Sequence, residues 1–261
     1  MTEWNAAEYA QISQLQAAMA EEVLALLDLT GATRVLDVGC GNGKITTEIA
    51  ARLPEGTIVG VDSSAEMIAF AMQHLPPSVL NARFEVADAR SLPFTEVFDL
   101  VVSFNALHWI PDQQAPLHSI CNAARHGGRA QLRLVPRGER KSLENVIEET
   151  RCAPRWKGYF VNFHDPYLHL SPAEYAALAE RCGLRVEKLQ VSDKAWDFGS
   201  RAAFEAFGAV TFIEWSRMIP PVERPQFVSD VLDRYRLVAA TTPGEENTFK
   251  FYQMDIALER D

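Results

Sequence analysis

The residues best suited to binding a small ligand follow directly after the first predicted strand. Residues 37–43 read Asp-Val-Gly-Cys-Gly-Asn-Gly, and a helical pattern of apolar residues begins just after them. Glycines at such a turn allow a tight bend and let a ligand approach the backbone closely. The second predicted strand ends in Asp62, where an acidic side chain can hold both hydroxyls of a ribose. Together the two features predict an adenosine cofactor across the carboxyl ends of the first two strands.

The type of cofactor follows from two departures from the dinucleotide-binding pattern. That pattern is Gly-x-Gly-x-x-Gly, whereas the glycines here are Gly39, Gly41 and Gly43, and Lys44 stands where the third glycine belongs. A pyrophosphate also needs a helix N-terminus without fixed anions, and Asp37 lies just before this loop. A carboxylate suits a cation instead, such as the ammonium of a methionine group. The pattern therefore favours S-adenosylmethionine over NAD.

The elements that must position these residues alternate between strand and helix. Such a rhythm is typical of βαβ units, so we expect an α/β fold with a doubly wound, Rossmann-like sheet. We expect residues 1–136 to form a cofactor-binding core with an N-terminal lid helix. Residues 137–261 then supply the rest of the sheet and a helical insertion, at about residues 200–240, that caps one end of the sheet. Strands are predicted at residues 34–38, 57–61, 82–86, 98–104, 129–135, 185–191 and 248–258. Gly127 and Gly128 are predicted to form the turn before the strand at 129–135. Helices are predicted at residues 17–29, 45–53, 64–74, 141–151, 171–181, 200–215 and 222–238.

Composition narrows the class of partner. The chain has 261 residues with 48% apolar and 23% charged, which fits one large globular α/β domain with an insertion, or two small domains. Its net charge of −10 repels polyphosphates, so we expect no nucleic-acid partner. No apolar run is long enough to cross a bilayer, and residues 1–16 lack the cationic start and apolar core of a secretion signal, so we expect no membrane partner.

The four cysteines indicate a reducing compartment. Cys40, Cys121, Cys152 and Cys182 are scattered, with no Cys-x-x-Cys pair and no histidine at ligand spacing. We therefore expect no metal site and no disulfide, and a cytoplasmic protein fits best. The sequence leaves the oligomeric state open between monomer and dimer.

The core of the chain, residues 33–135, resembles the class I S-adenosylmethionine-dependent methyltransferases. Asp37 and Gly39 match the first motif of that family, which cradles the methionine part, and Asp62 matches the ribose clamp. Met67 matches an apolar residue that packs near the adenine, and Asp88 matches the acidic residue that bonds the adenine amino group. The resemblance implies that the cofactor is held by Asp37, Gly39, Gly41, Asp62, Ser63, Met67, Asp88, Ala89 and Asn105, with Tyr9 and Gln16 from the N-terminal helix.

A narrower resemblance extends over nearly the whole chain. Trp4, Asn5 and Tyr9, the stretch 105–109 (Asn-Ala-Leu-His-Trp) and the late helices are similar to trans-aconitate and juvenile hormone acid methyltransferases. The resemblance implies seven strands with the last one antiparallel, and an N-terminal segment and a helical insertion that close over the cofactor and a small carboxylic acid. Methyl transfer to such an acid yields a methyl ester and S-adenosyl-L-homocysteine. The segment 141–165 departs from the family, which leaves the substrate open.

Several side chains are candidates for the substrate side. His108 and Trp109 follow the fourth strand, and His108 could act as a base, as a hydrogen-bond donor or as a structural residue. Arg133 lies inside an apolar strand, where it either holds a substrate carboxylate or pairs with a neighbouring Asp or Glu. Trp196 and Trp215 line an apolar substrate pocket or belong to the core.

Other functions remain open at this point. The acceptor can be a hydroxyl or phenol activated by His108, or an amine or carbanion, instead of a carboxylate. An NAD-dependent oxidoreductase is a different class of function, disfavoured by Lys44 and by the lack of a Tyr-x-x-x-Lys pair. A catalytically inert cofactor-binding partner is a third.

Overall fold

The computed structural model describes residues 19, 21–29, 33–168 and 170–261. These residues form two compact units. The first contains the described residues up to Pro136 together with Leu168–Val191 and Gln253–Asp261, and the second contains Arg137–Tyr167 and Ser192–Tyr252. The segment at about 200–240, predicted as an insertion, falls in the second unit, which also includes residues 137–167. Trp4, Asn5, Tyr9 and Gln16 lie outside the described residues.

One sheet of seven strands organises the fold, in the order β3-β2-β1-β4-β5-β7-β6. Neighbours from β3 to β5 run parallel, and β7 runs antiparallel to β5. This topology confirms the predicted doubly wound sheet with an antiparallel last strand. The strands are β1 (Arg34–Val38), β2 (Thr57–Asp62), β3 (Ala82–Val86), β4 (Phe98–Phe104), β5 (Ala124–Leu134), β6 (Leu184–Asp197) and β7 (Thr248–Arg260).

Helices cover both faces of the sheet in the first unit because its strands are apolar on both sides. Val35 and Val102 pack with Ile49 in one buried cluster, whereas Leu36 packs with Leu117 in another. Each such side chain contributes about 1.5–3 kcal/mol when fully buried. The helices of this unit are α1 (Lys44–Ala51), α2 (Ala65–His74), α3 (Gln114–Ala123) and α5 (Pro172–Arg181), and residues 21–25 are also helical.

The parallel register brings the predicted ligand-binding loops to one edge of the sheet. Asp37 of β1 lies between Gly60 of β2 and Val102 of β4. The carboxyl ends of β1, β2 and β4 therefore meet at one edge, which is where open α/β sheets bind their ligands.

Two parts of the first unit differ from the sequence prediction. Helix α3 is not predicted, although Leu117, Ile120 and Ala123 are buried along one side of it. Strand β5 begins at Ala124 rather than at residue 129, so the Gly127–Gly128 pair lies inside the strand and is not a turn before it. Gly127 has a φ of 67°, and the pairing of β4 with β5 shifts register nearby, so the glycines accommodate a bulge.

The second unit is helical with an aromatic interior. Trp156 packs edge-on against Phe227, with ring centroids 5.2 Å apart, and its indole N–H donates to Asp230 at 2.9 Å. Phe204 packs edge-on against Tyr235 at 6.1 Å. The helices of this unit are α4 (Leu143–Arg151), α6 (Arg201–Thr211), α7 (Ile213–Ser216) and α8 (Arg224–Ala239). None of the helices in the described part of the chain has both the length and the apolar character that crossing a bilayer requires.

Candidate functional site

The loop after β1 has a backbone path that only glycine accommodates easily. Gly39 and Gly41 have φ values of 76° and 53°, in the left-handed region. The N–H of Gly39 donates to the carbonyl of Val61 at 2.8 Å, which joins the ends of β1 and β2. A side chain at Gly39 would collide with the Cβ of Ala106 in the loop after β4. The glycine therefore lets the two loops approach closely at the sheet edge.

Asp37 presents a buried carboxyl beneath this loop. Its residue is 2% exposed, and Thr46 donates a hydrogen bond from Oγ1 to Oδ2 at 2.6 Å. Burial and the nearby Asp62 carboxylate raise the pKa of Asp37 to about 7, and the bond from Thr46 acts in the opposite direction. A cation placed beside this carboxyl would stabilise its ionised form.

Asp62 connects the loop after β1 to the start of α2. Its Oδ2 accepts from the N–H of Gly41 at 3.0 Å, and its Oδ1 accepts from the N–H of Ser64 at 2.9 Å. Ser64 caps α2 by accepting from the N–H of Met67, which is 3% exposed. Ser63 lies between these residues and is half-buried. The glycine loop after β1 and the start of α2 are therefore joined by hydrogen bonds to Asp62.

Asp88 lies two residues after the end of β3 and caps a short turn, Ala89–Ser91. Its Oδ1 accepts from the N–H of Arg90 at 2.9 Å, and its Oδ2 pairs with Nη2 of Arg90 at 2.5 Å. The hydrogen bonds from Arg90 lower the pKa of Asp88, so this carboxyl is ionised at neutral pH. Asp88 therefore caps this turn, a role that is compatible with a second contact to a ligand.

The loop after β4 is held by a backbone hydrogen bond to β5 and by the side chain of Gln113. Asn105 has a φ of 57°, a conformation that asparagine tolerates better than most residues, and its N–H donates to the carbonyl of Arg133 at 2.8 Å. The buried Gln113 donates from Nε2 to the carbonyls of Leu107 (2.6 Å) and Ile110. Its Oε1 is buried without a partner in the described chain. Gln113 thus fixes the turn that carries the predicted active-site histidine.

His108 is buried and neutral. The residue is 5% exposed, and burial lowers its pKa to about 3. Its Nδ1 accepts a hydrogen bond from the N–H of Val135 at 3.3 Å, so the imidazole proton lies on Nε2. In this tautomer the ring is a donor and not a base, which favours the donor and structural alternatives. Trp109 is half-buried, with its ring centroid 5.7 Å from that of His108.

Arg133 has the acidic partner that the sequence left as an alternative. Its guanidinium donates from Nε to Oδ1 of Asp255 at 2.6 Å and from Nη2 to Oδ2 at 3.0 Å. Nη1 lies 3.3 Å from Oε2 of Glu22 and 3.4 Å from the carbonyl of Met19. This two-bond fork is already used within the protein, so the structure favours the pairing alternative for Arg133.

The two tryptophans predicted as substrate contacts in the second unit, Trp196 and Trp215, differ from each other. Trp215 is fully buried, and its indole N–H donates to Oε1 of Glu148 at 2.6 Å, so the structure favours the core alternative for it. Trp196 is half-buried on β6. Trp196 and Trp109 keep the partial exposure that a substrate contact needs.

Comparison with known proteins places this geometry in a family. A family model described as a methyltransferase domain matches residues 29–151. The trans-aconitate 2-methyltransferase of Deinococcus radiodurans is 31% identical over 258 residues, covering 95% of this chain and 95% of that protein. The chain belongs to the class I S-adenosylmethionine-dependent methyltransferases. It is of the type that includes this Deinococcus relative.

Two further methyltransferases are similar to this chain. The trans-aconitate 2-methyltransferase of Variovorax paradoxus is 37% identical over 157 residues, 60% of this chain and 59% of that protein. The structure of Haemonchus contortus phosphoethanolamine N-methyltransferase 2 in complex with S-adenosyl-L-methionine superposes with a TM-score of 0.61 at 17% identity. The match covers 94% of this chain and 53% of the Haemonchus chain. The two proteins therefore share a fold.

The cofactor of the methyltransferase is S-adenosylmethionine, and the donor set of the site fits it. The cofactor carries an ammonium, ribose hydroxyls and no phosphate. Asp37 and Asp62 offer carboxyl groups at the sheet edge, which suit a cation and hydroxyl donors and would repel a pyrophosphate.

Sequence reasoning missed two residues of this site. Thr46 and Gln113 are buried polar residues on or beside helices, and each bonds a residue or loop of the predicted site. For Thr46 the available signal was a polar residue at a position where the helical period expects an apolar one. Gln113 precedes a helix that was not predicted, so it carried no such signal.

Proposed function

We propose that this methyltransferase transfers the methyl group of S-adenosylmethionine to a carboxylate oxygen of a small-molecule acid. The products are a methyl ester and S-adenosyl-L-homocysteine. The Deinococcus relative, which matches over nearly the full length, is named for a carboxylic acid, trans-aconitate. The observation that carries the proposal is the state of His108.

A hydroxyl or phenol acceptor needs a base, and His108 is poorly suited to be one. A phenol has a pKa of about 10 and must lose its proton, whereas a carboxylic acid, with a pKa of about 4, is already ionised at neutral pH. His108 has a pKa of about 3 and its Nδ1 accepts from Val135. An acceptor that arrives ionised does not require this histidine to take up a proton.

The cofactor supplies an electrophilic methyl group on a sulfonium, so the protein has chiefly to bind, orient and exclude water. We assign Asp62 to the ribose hydroxyls, Asp37 to the methionine ammonium and Asp88 to the adenine amino group. Orientation of this kind supplies roughly 7–11 kcal/mol in well-aligned systems. Gly39, Gly41, Ser63, Met67, Ala89 and Asn105 complete the cofactor side, and Trp109 is a proposed acceptor contact.

The proposal is tested by matched acceptors. Purified enzyme is incubated with methyl-labelled S-adenosylmethionine and a panel of carboxylic acids that includes trans-aconitate, each beside its primary amide and its alcohol. We expect transfer to one or more acids and none to the matched amide or alcohol. Faster transfer to alcohols, phenols or amines than to any acid would overturn the proposal and redirect attention to those acceptors.

A second readout is the pH dependence of turnover with the best acid. Without a base of ordinary histidine pKa, turnover at saturating substrates should show no step between about pH 6 and pH 8 that His108→Asn removes. A step in the wild type that vanishes in the variant would restore His108 as the base.

A further inference from the structure

The hydroxyl of Thr46 lies against the carboxyl that we assign to the methionine ammonium. Thr46 is the third residue of α1 and is fully buried. Its Oγ1 lies 2.6 Å from Oδ2 of Asp37, a short distance typical of a hydroxyl that donates to an ionised carboxylate. A threonine at a helical position where an apolar residue would pack equally well therefore has a specific polar partner.

The surroundings of Asp37 otherwise oppose its negative charge. Asp37 is 2% exposed and is flanked by Gly60 of β2 and Val102 of β4. In the described chain, two titratable groups interact electrostatically with Asp37: Asp62 at the end of β2 and the Cys40 thiol in the glycine loop. The ionised form of either group repels the Asp37 carboxylate. The hydroxyl of Thr46 is the hydrogen-bond donor that favours the charged form.

We propose that Thr46 is a positioning residue whose hydroxyl favours the ionised, cation-binding form of Asp37 over the neutral form, and that binding of the cofactor's ammonium is coupled to release of a proton from the neutral fraction of Asp37. The inference rests on the proposed assignment of Asp37 to the methionine end of the cofactor, and not on the identity of the acceptor. The proton leaves the Asp37 carboxyl for the solvent, while the ammonium keeps its own proton and forms the ion pair.

The direction of the effect follows from the balance at Asp37. Burial and Asp62 raise its pKa to about 7, so the ligand-free protein holds a mixture of neutral and ionised carboxyl near neutral pH. The ammonium binds the ionised form, so affinity falls as pH drops below this pKa. Without the hydroxyl of Thr46 the pKa rises further, and the loss of affinity begins at a higher pH.

The test compares Thr46→Val with Thr47→Val. The first change removes the hydroxyl at nearly constant volume. Thr47 is its neighbour on α1, and its hydroxyl donates to the carbonyl of Gly43 and not to Asp37, which makes it a matched control. Dissociation constants of S-adenosyl-L-homocysteine are measured by calorimetry across pH, in buffers of different ionisation enthalpy so that released protons are counted. The ratio of variant to wild-type constants cancels titration of the ligand's own amine.

We expect Thr46→Val to bind about tenfold more weakly than the wild type near pH 6 and nearly as tightly at about pH 9, since one pKa unit corresponds to a factor of ten. It should also release more protons on binding near neutral pH. Thr47→Val should match the wild type throughout. Thr46→Ser, which keeps the hydroxyl, should restore the pH profile even if its smaller side chain lowers thermal stability.

Two results would overturn the inference. One is a loss of affinity in Thr46→Val that is equal at all pH values, which would indicate packing alone, and the other is no loss at any pH. Asp37→Asn separates this failure from that of the site assignment. If Asp37→Asn binds S-adenosyl-L-homocysteine as the wild type does, the assignment of Asp37 to the ammonium fails. If it binds weakly while Thr46→Val behaves as the wild type, only the role of Thr46 fails.

Discussion

Arg133 and Asp255 face each other across the antiparallel pair β5 and β7 and are joined by two hydrogen bonds, of 2.6 and 3.0 Å. The arginine side chain is 2% exposed and the aspartate side chain 15%. A buried guanidinium is tolerated here because a planar carboxylate meets its fork. The arginine inside an apolar strand is thereby explained by a partner within the fold.

Replacing Arg133 by methionine should therefore destabilise the protein without affecting the acceptor. The change leaves Asp255 buried without its main partner, which costs about 3–5 kcal/mol in the free energy of unfolding. The Michaelis constant for the acid should stay within about twofold, because the fork does not bind substrate in this account. Urea unfolding and steady-state kinetics measure the two quantities. A raised Michaelis constant at unchanged stability would return Arg133 to the substrate site.

Asp62→Asn should weaken cofactor binding. The amide keeps the shape of the side chain but loses the charge that we assign to the ribose hydroxyls, and it changes the acceptor for Gly41 or Ser64. Affinity for S-adenosyl-L-homocysteine should fall by roughly 1.5–3 kcal/mol, measured by calorimetry. Asp99→Asn is the matched control, since Asp99 pairs with Arg125 near the start of β4. Equal affinities in a folded Asp62→Asn protein would refute the ribose assignment.

His108 should make the protein less stable in acid. Its folded pKa of about 3 lies below the ordinary value of 6.5, so the unfolded chain takes up the proton first. The stability that His108 contributes is complete above about pH 6.5 and falls by up to about 1.4 kcal/mol per pH unit as the pH drops toward 3. The difference in unfolding free energy between wild type and His108→Asn should shrink accordingly over this range. The exposed His118, changed to Asn, serves as the control. The same trend in both variants would point to another group.

Gln113→Met should loosen the loop after β4. It removes the two hydrogen bonds to the carbonyls of Leu107 and Ile110, which should lower the unfolding free energy by about 1–3 kcal/mol and weaken binding of S-adenosyl-L-homocysteine. Gln114→Met changes the neighbouring exposed glutamine and serves as control. Equal stability and affinity in the two variants would show that Gln113 does not hold the loop.

The sheet could be predicted from sequence where short apolar runs end in glycine or acidic residues. Strand β1, which ends before Gly39, has the predicted bounds for this reason, and β3 and β4 also have the predicted bounds. Helix α3 escaped prediction because Pro116 and polar neighbours obscure its start, although proline is tolerated in a first turn, where the N–H groups lack helical partners. The Gly127–Gly128 pair indicated a turn, but the pairing of β5 with β4 accommodates it as a bulge.

The site was predictable where its residues are close in sequence. The glycine loop and Asp62 form a recognisable sequence motif, and the hydrogen bond between Gly41 and Asp62 joins its two parts. The partner of Arg133 is 122 residues away, on a strand that only the complete sheet brings alongside. The state of His108 depends on burial and on the N–H of Val135, which are also set by tertiary packing.

The chemistry of the transferred methyl group is the most direct test of the account. Label from methyl-labelled S-adenosylmethionine is transferred to the acceptor, and the isolated product is treated with mild alkali. A methyl ester hydrolyses, so the account predicts that the label is released as methanol and that the original acid is recovered. Label that stays on the product after alkali would be an ether, an amine or a carbon-bound methyl group, and would contradict carboxylate methylation.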